Sequence, residues 1–225
     1  MPHRPCRLAA VLLAFAALAG CQTGDAVKPP AEALFVLGRT TEADIRAQYG
    51  APTSSERETT PQGSATGLPS GGSPFDAVPF EGTYTRLRYA LTNEAEARLL
   101  GGDTKTKTAE FLLWNDVLID YHFNSSFEAD ATTFDLARLK DVAIGRTIEA
   151  QVISLLGPPS GRGIFPAVRD PGSHVLHYNY FAVHQGFFVW QRDVQRQHAD
   201  VLIDEHGFVQ AYRGDDDAAL PMNRR

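Results

Sequence analysis

Apolar and polar positions along this 225-residue chain follow two periods, and the change from one to the other marks its elements. Thr83 to Leu91 alternates with period two, Leu87, Tyr89 and Leu91 on one side and Tyr84, Arg86, Arg88 and Ala90 on the other, which predicts a half-buried strand. Ala109–Trp114 and Val117–Phe123 repeat that alternation around Asn115-Asp116, a pair that tolerates positive φ, and so predict a β-hairpin. Further on, Val175–Val183 predicts a strand, and Asp200–Asp204 with Phe208–Tyr212 predicts a closing hairpin around Glu205-His206-Gly207. Helical spacing governs Thr41–Tyr49, the Thr133–Lys140 stretch with Phe134, Leu136 and Leu139, and the segment carrying Ile148, Val152, Leu155 and Leu156.

Two of these segments are copies. Leu37–Pro52 is echoed by Ile144–Pro159 at a constant offset of 107, with seven of sixteen positions identical. The identities have physical work: Thr40 and Thr147 supply a hydroxyl for a helix start, and Glu42 and Glu149 favour the positive end of the helix dipole. Gly50 and Gly157 end the helix with Pro52 and Pro159 behind them. Ala199–Asp204 likewise corresponds to Ala109–Trp114. The expected class is therefore α+β, two tandem helix-helix-β-sheet repeats forming an antiparallel sheet with helices packed on one face. The expected division is a leader at 1–20, a tether at 21–30, a first repeat at 31–128 and a second at 129–225. A Gly-, Ser- and Thr-rich insertion, read as mobile, spans about 53–79. Gly161 to Ser173 is expected as a loop, and Asp215 to Arg225 as a frayed, charged tail.

The N-terminus changes the picture. Arg4 and Arg7 precede an apolar run, Leu8 to Ala19, which ends in Leu18-Ala19-Gly20-Cys21, the pattern of an export signal with small residues at its cut. It resembles the lipobox of bacterial lipoproteins. That resemblance implies lipidation at Cys21, attachment through acyl chains, and, with Gln22 following, the outer membrane facing the periplasm. Loss of the leader removes Cys6, so no disulfide is available. Removing Arg4 and Arg7 leaves 19 basic against 27 acidic residues, a net charge of −8, which argues against nucleic acid or an anionic lipid surface as partner.

Gly38-Arg39-Thr40…Gly50-Ala51-Pro52 with Tyr89, and Gly145-Arg146-Thr147…Gly157-Pro158-Pro159 with Tyr178, resemble the BamE/SmpA/OmlA family of small outer-membrane lipoproteins. That family's unit is a single copy, where this chain carries two. A tandem pair is similar to the β-lactamase inhibitor protein fold. The resemblance implies a non-enzymatic binding or scaffolding module with envelope proteins as partners, the outer-membrane-protein assembly machinery being one candidate whose contacts with the single-copy unit do not carry over to two copies.

Candidate chemistry is sparse. His174-x-x-His177 with His184 has a metal-like composition, but a spacing of three puts the first two on opposite strand faces. Asp120 and His122 share a strand face, as an acid–base pair would, without a Ser or Cys nucleophile to activate. Gly161-Arg162-Gly163 lacks the strand–loop–helix setting of a phosphate loop. No catalytic set, metal or cofactor is expected; the alternative is a periplasmic metal-binding protein or hydrolase using His122, His174 or His177. Phe187, Phe188, Val189 and Trp190 put apolar side chains on both faces of a strand. They are either an exposed partner-binding patch or residues buried where the two copies meet or under a loop.

Overall fold

The computed structural model describes residues 27–31, 33–61, 73–75, 80–94, 103–185 and 192–218, the side chains at 184–185, 192–193 and 216–218 excepted. Eight strands run in chain order across one antiparallel sheet, each paired with the next. They are β1 (Ser54–Thr60), β2 (Gly82–Thr92), β3 (Thr106–Trp114), β4 (Val117–Ser125), β5 (Gly161–Ile164), β6 (His174–Gln185), β7 (Arg192–Ile203) and β8 (Val209–Ala218). Two α-helices are described from end to end, α1 (Glu42–Tyr49) and α2 (Glu149–Leu156), eight residues each.

This overturns the expected α+β class of two helix-helix-sheet repeats. The chain is mainly a single eight-stranded sheet with a few short helices. The missing helices fail for a local reason. Thr133–Lys140 yields only a 3-10 segment, Leu136–Asp141, started by the Asp135 carboxylate accepting from the Ala137 amide. Its bonds are of the i→i−3 kind, the Arg138 amide to the Asp135 carbonyl and the Val142 amide to the Leu139 carbonyl, the tighter geometry used in short connecting pieces. Strands take up sequence expected elsewhere. Ser54–Thr60, read as the start of the insertion, pairs along its whole length with β2. Gly161–Ile164, read as loop, is β5, held between β4 and β6. Asp215–Asp217, read as tail, extends β8 against β7.

The duplicated segment makes the same contacts in both places. The Gly38 amide donates to the Leu118 carbonyl and the Gly145 amide to the Val209 carbonyl. Thr40 and Thr147, expected as helix caps, instead accept from the Val36 and Ala143 amides and fix the turn before the helix. Thr41 caps α1, and the Ile148 amide at the start of α2 donates to the Gln151 side chain. The Tyr89 hydroxyl donates to the Gly50 carbonyl and the Tyr178 hydroxyl to the Gly157 carbonyl, so each helix end is tied to a strand. At the expected hairpin, Asn115 and Asp116 both adopt positive φ.

Both helices pack on one face of the sheet. Ile45 and Tyr49 of α1, with Phe35, lie on Leu87, Tyr89, Phe111, Leu113, Tyr121 and Phe123. Val152 and Leu156 of α2, with Leu139, lie on Leu176, Tyr178, Val201 and Ile203. The row Tyr121–Arg162–Leu176–Val201–Tyr212 carries this face across the middle of the sheet. Trp114 is half-buried and packs edge-on to Phe80, 6.1 Å between centroids. No helix among the described residues is long and apolar enough to cross a membrane.

Gly50 and Gly157 close their helices at φ 76°, ψ −147° and φ 89°, ψ −176°, a region that only glycine adopts without strain. A Cβ at either would meet open space, so any cost is backbone strain alone. Gly50→Ala and Gly157→Ala are each expected to lower the unfolding free energy by about 1–3 kcal/mol in denaturant titration, with the far-ultraviolet spectrum unchanged.

Candidate functional site

The helix-free face carries the chemistry. Strand register aligns one residue from each of β2 to β8 in a single row: Arg88, Glu110, His122, Gly161, His177, Asp200 and Arg213. Asp120 joins from the neighbouring row, opposite Gly163. Adjacent strands lie about 4.8 Å apart, so β4 and β6 are separated by about twice that. Their side chains meet only because β5 offers none between them on this face. A Cβ on Gly163 would strike the Asp120 carboxylate, and one on Gly161 the Tyr121 carbonyl.

Over these glycines Asp120 touches two histidines. Its Oδ1 lies 2.8 Å from His122 Nε2 and its Oδ2 3.0 Å from His177 Nε2. The imidazole centroids are 4.0 Å apart. Behind them, His177 Nδ1 lies 2.6 Å from Asp200 Oδ1. Arg213 donates to Asp200 Oδ2 through Nε at 2.8 Å and Nη2 at 2.6 Å. His198 bridges Asp200 and Asp215 at 3.2 and 3.3 Å. His122 Nδ1 faces the Asn179 amide at 3.3 Å.

The far side of this cluster is roofed. Phe75 and Val168 pack on Val175 and Leu202, and the Arg213 guanidinium lies 4.7 Å over the Phe75 ring. The His177, Asp120 and Asp200 side chains keep 8%, 9% and 1% of their surface, whereas His122 keeps 40%. Burial alone would push the His177 imidazole down, but the carboxylates of Asp120 and Asp200 outweigh it and push it up to about 10. Burial would raise both carboxyls, yet the histidines hold Asp120 and Asp200 far below the usual carboxylate range. His198 is raised, chiefly by its hydrogen bond to Asp200.

His122 also faces a groove of about 940 Å³ that crosses the helix-free face. Arg88, Thr108, Glu110, Asn124, Phe181 and Arg196 are among its walls. Asn124 Oδ1 and Thr106 Oγ1, also in the wall residues, are buried and make no hydrogen bond within the chain.

The expected site residues fall as follows. His122 and His177 come together, with Asp120 between them. His174 points away, as its spacing predicted, and meets Glu149 at 2.9 Å. His184 lies in β6 with its side chain outside the described residues, where Cys21 and the aromatic run Phe187, Phe188, Val189 and Trp190 also fall. Sequence reading missed Asp200, Arg213, His198 and Asn179; apart from His198 and Asp200, two residues apart, they join the cluster through partners 13 to 57 residues away. One signal was present: Gly161-x-Gly163 has the strand period and strips one face of β5 of side chains.

No protein-family model matches the chain, and no curated protein matches it in sequence. The BamE/SmpA/OmlA resemblance therefore rests on the two short motifs alone. Among solved structures, the model is similar to a protein from Streptococcus mutans described as a "putative beta-lactamase inhibitor protein". The two share 10% identity at a TM-score of 0.40, covering 84% of this chain and 93% of that one. A likeness at that level bears on neither partner nor activity.

Two tests follow from the geometry. Gly163→Ala is expected to drive Asp120 off His177 and destabilise by about 3 kcal/mol or more in denaturant titration, since one member of a buried charged set is left unpaired. The second concerns Glu149. Burial opposes its ionised form, but hydrogen bonds from Arg162 at 2.7 Å and His174 hold its carboxyl below the usual range. A folded value below the unfolded one stabilises above the unfolded pKa, and that contribution is lost as pH falls through the folded pKa. Glu149→Gln should thus cost about 1 kcal/mol at neutral pH, and the gap to wild type should close in acid.

Proposed function

We propose that this chain is a non-catalytic, lipid-anchored binding protein of the bacterial envelope, and that its groove receives a loop of another envelope protein. The groove is the observation that carries the reading. Its volume of about 940 Å³ is at the upper end of the range for binding pockets, which suits several residues of polypeptide. Its walls combine an aromatic ring (Phe181), two guanidinium groups (Arg88 and Arg196) and a carboxylate (Glu110), a mixture that fits a peptide of mixed polarity. Asn124 Oδ1 and Thr106 Oγ1 would each gain a hydrogen bond from such a segment, and a buried polar atom without one costs about 1–3 kcal/mol. The anchoring rests on Cys21 directly behind Leu18-Ala19-Gly20. The outer membrane, its periplasmic side and a part in outer-membrane-protein assembly belong to this proposal through the lipoprotein resemblance.

The test is site-specific photocrosslinking in cells with the full-length protein. A crosslinker at Thr108, in the groove, should give a discrete adduct, whereas one at the exposed Ser154 of α2, on the opposite face, should not. Phe181→Glu should remove the adduct and Cys21→Ala should reduce it. Identifying the adduct as an outer-membrane β-barrel or its insertion machinery supports the assembly role. Equal yields from Thr108 and Ser154 overturn the groove as the binding face.

A further inference from the structure

The geometry points to a mononuclear site for a divalent transition-metal ion, such as Zn²⁺, formed by Asp120, His122 and His177. The ligand atoms of the three residues all lie within 4.8 Å of one another. Both histidines aim Nε2 at one carboxylate, at 2.8 and 3.0 Å. Donors at 2.0–2.1 Å from a tetrahedral ion stand about 3.3 Å apart, so small outward shifts of these side chains would admit the ion. Two imidazoles and a carboxylate are a donor set such ions accept, with a fourth position left for water or an incoming ligand.

The surroundings also fit. Metal-bound histidine commonly donates its other ring N–H to a carboxylate, which fixes the tautomer and the ring. His177 meets Asp200 through Nδ1 at 2.6 Å, and Asp200 is itself gripped by Arg213. His122 Nδ1 faces the Asn179 amide, which offers a donor or, turned by half a rotation, an acceptor. Asp120 and His177 are buried while His122 borders the groove, so an ion would enter past His122 and its open position would face the groove. The Nε2 protons that otherwise fill this space would leave as the ion binds. The inference is independent of whether the groove holds a protein loop.

The spacing of His174 and His177 could not reveal this site, because the second histidine comes from β4 and the two strands meet only across Gly161 and Gly163.

The experiment uses the tag-free full-length protein in detergent, stripped with chelator and titrated with Zn²⁺ by calorimetry, then with Co²⁺ by visible absorption. One ion per chain is expected, with cobalt bands of four- or five-coordinate nitrogen and oxygen ligation. His122→Ala leaves Asp120 its contact with His177, so the variant should fold cooperatively with a somewhat lower melting temperature and, titrated well below it, should bind about 100-fold or more weakly. Asp120→Asn provides a second ligand change that keeps side-chain shape, and should also weaken binding. His174→Ala should leave binding unchanged. Absence of stoichiometric binding, or equal binding by wild type and His122→Ala, overturns the site. Loss of binding in His174→Ala alone places the ion elsewhere and overturns it as well.

Discussion

The helix-free face of the sheet depends on the absence of two side chains. Gly161 and Gly163 occupy alternate positions of β5, on the one face where Cβ atoms would collide with β4. Everything ionisable at the centre follows from that cleared strip. Asp120 can reach His177, the two imidazoles can lie side by side, and β4 and β6 exchange side-chain contacts over a strand only four residues long. With any other residue at 163, the carboxylate would have to turn towards solvent or towards its own strand.

Burying ionisable groups this deeply costs several kcal/mol per charge unless partners compensate. The compensation here is serial. Arg213 neutralises Asp200 from outside, Asp200 orients His177, and His177 shares Asp120 with His122. The row therefore grades from an exposed guanidinium on β8 to a buried centre and out again to the groove at His122. It also joins the sheet's two halves, since Asp120 and His122 belong to β4 while His177, Asp200 and Arg213 belong to β6, β7 and β8. The two apolar clusters beneath the helices lie on the other face, one in each half, so the polar row links halves whose apolar cores are separate.

Local features were legible in the sequence, and long-range ones were not. Asn115-Asp116 announced its hairpin because turn chemistry is settled within four residues. The echoed Gly50 and Gly157 announced the helix ends for the same reason. The expected class failed where propensity was weak and neighbours decided. Ser54–Thr60 has almost no buried side chain to betray a strand, and β5 exists because β4 and β6 flank it. Thr40 and Thr147 were rightly singled out but misassigned, since an adjacent residue took the capping position. The central cluster depends on register across five strands, which no spacing within one strand encodes. Only the alternate glycines hinted that something had to cross there.

Among the described residues β1 and β8 each pair with one neighbour only, and both outer strands are written in charge. β1 leaves Glu56, Arg57 and Glu58 on its rim with six of seven residues exposed, and β8 ends in three consecutive aspartates. A second sheet approaching either rim would have to strip water from these charges, so the ladder of backbone groups is poorly available as a template. Charge at the outer strands thus works against edge-to-edge polymerisation.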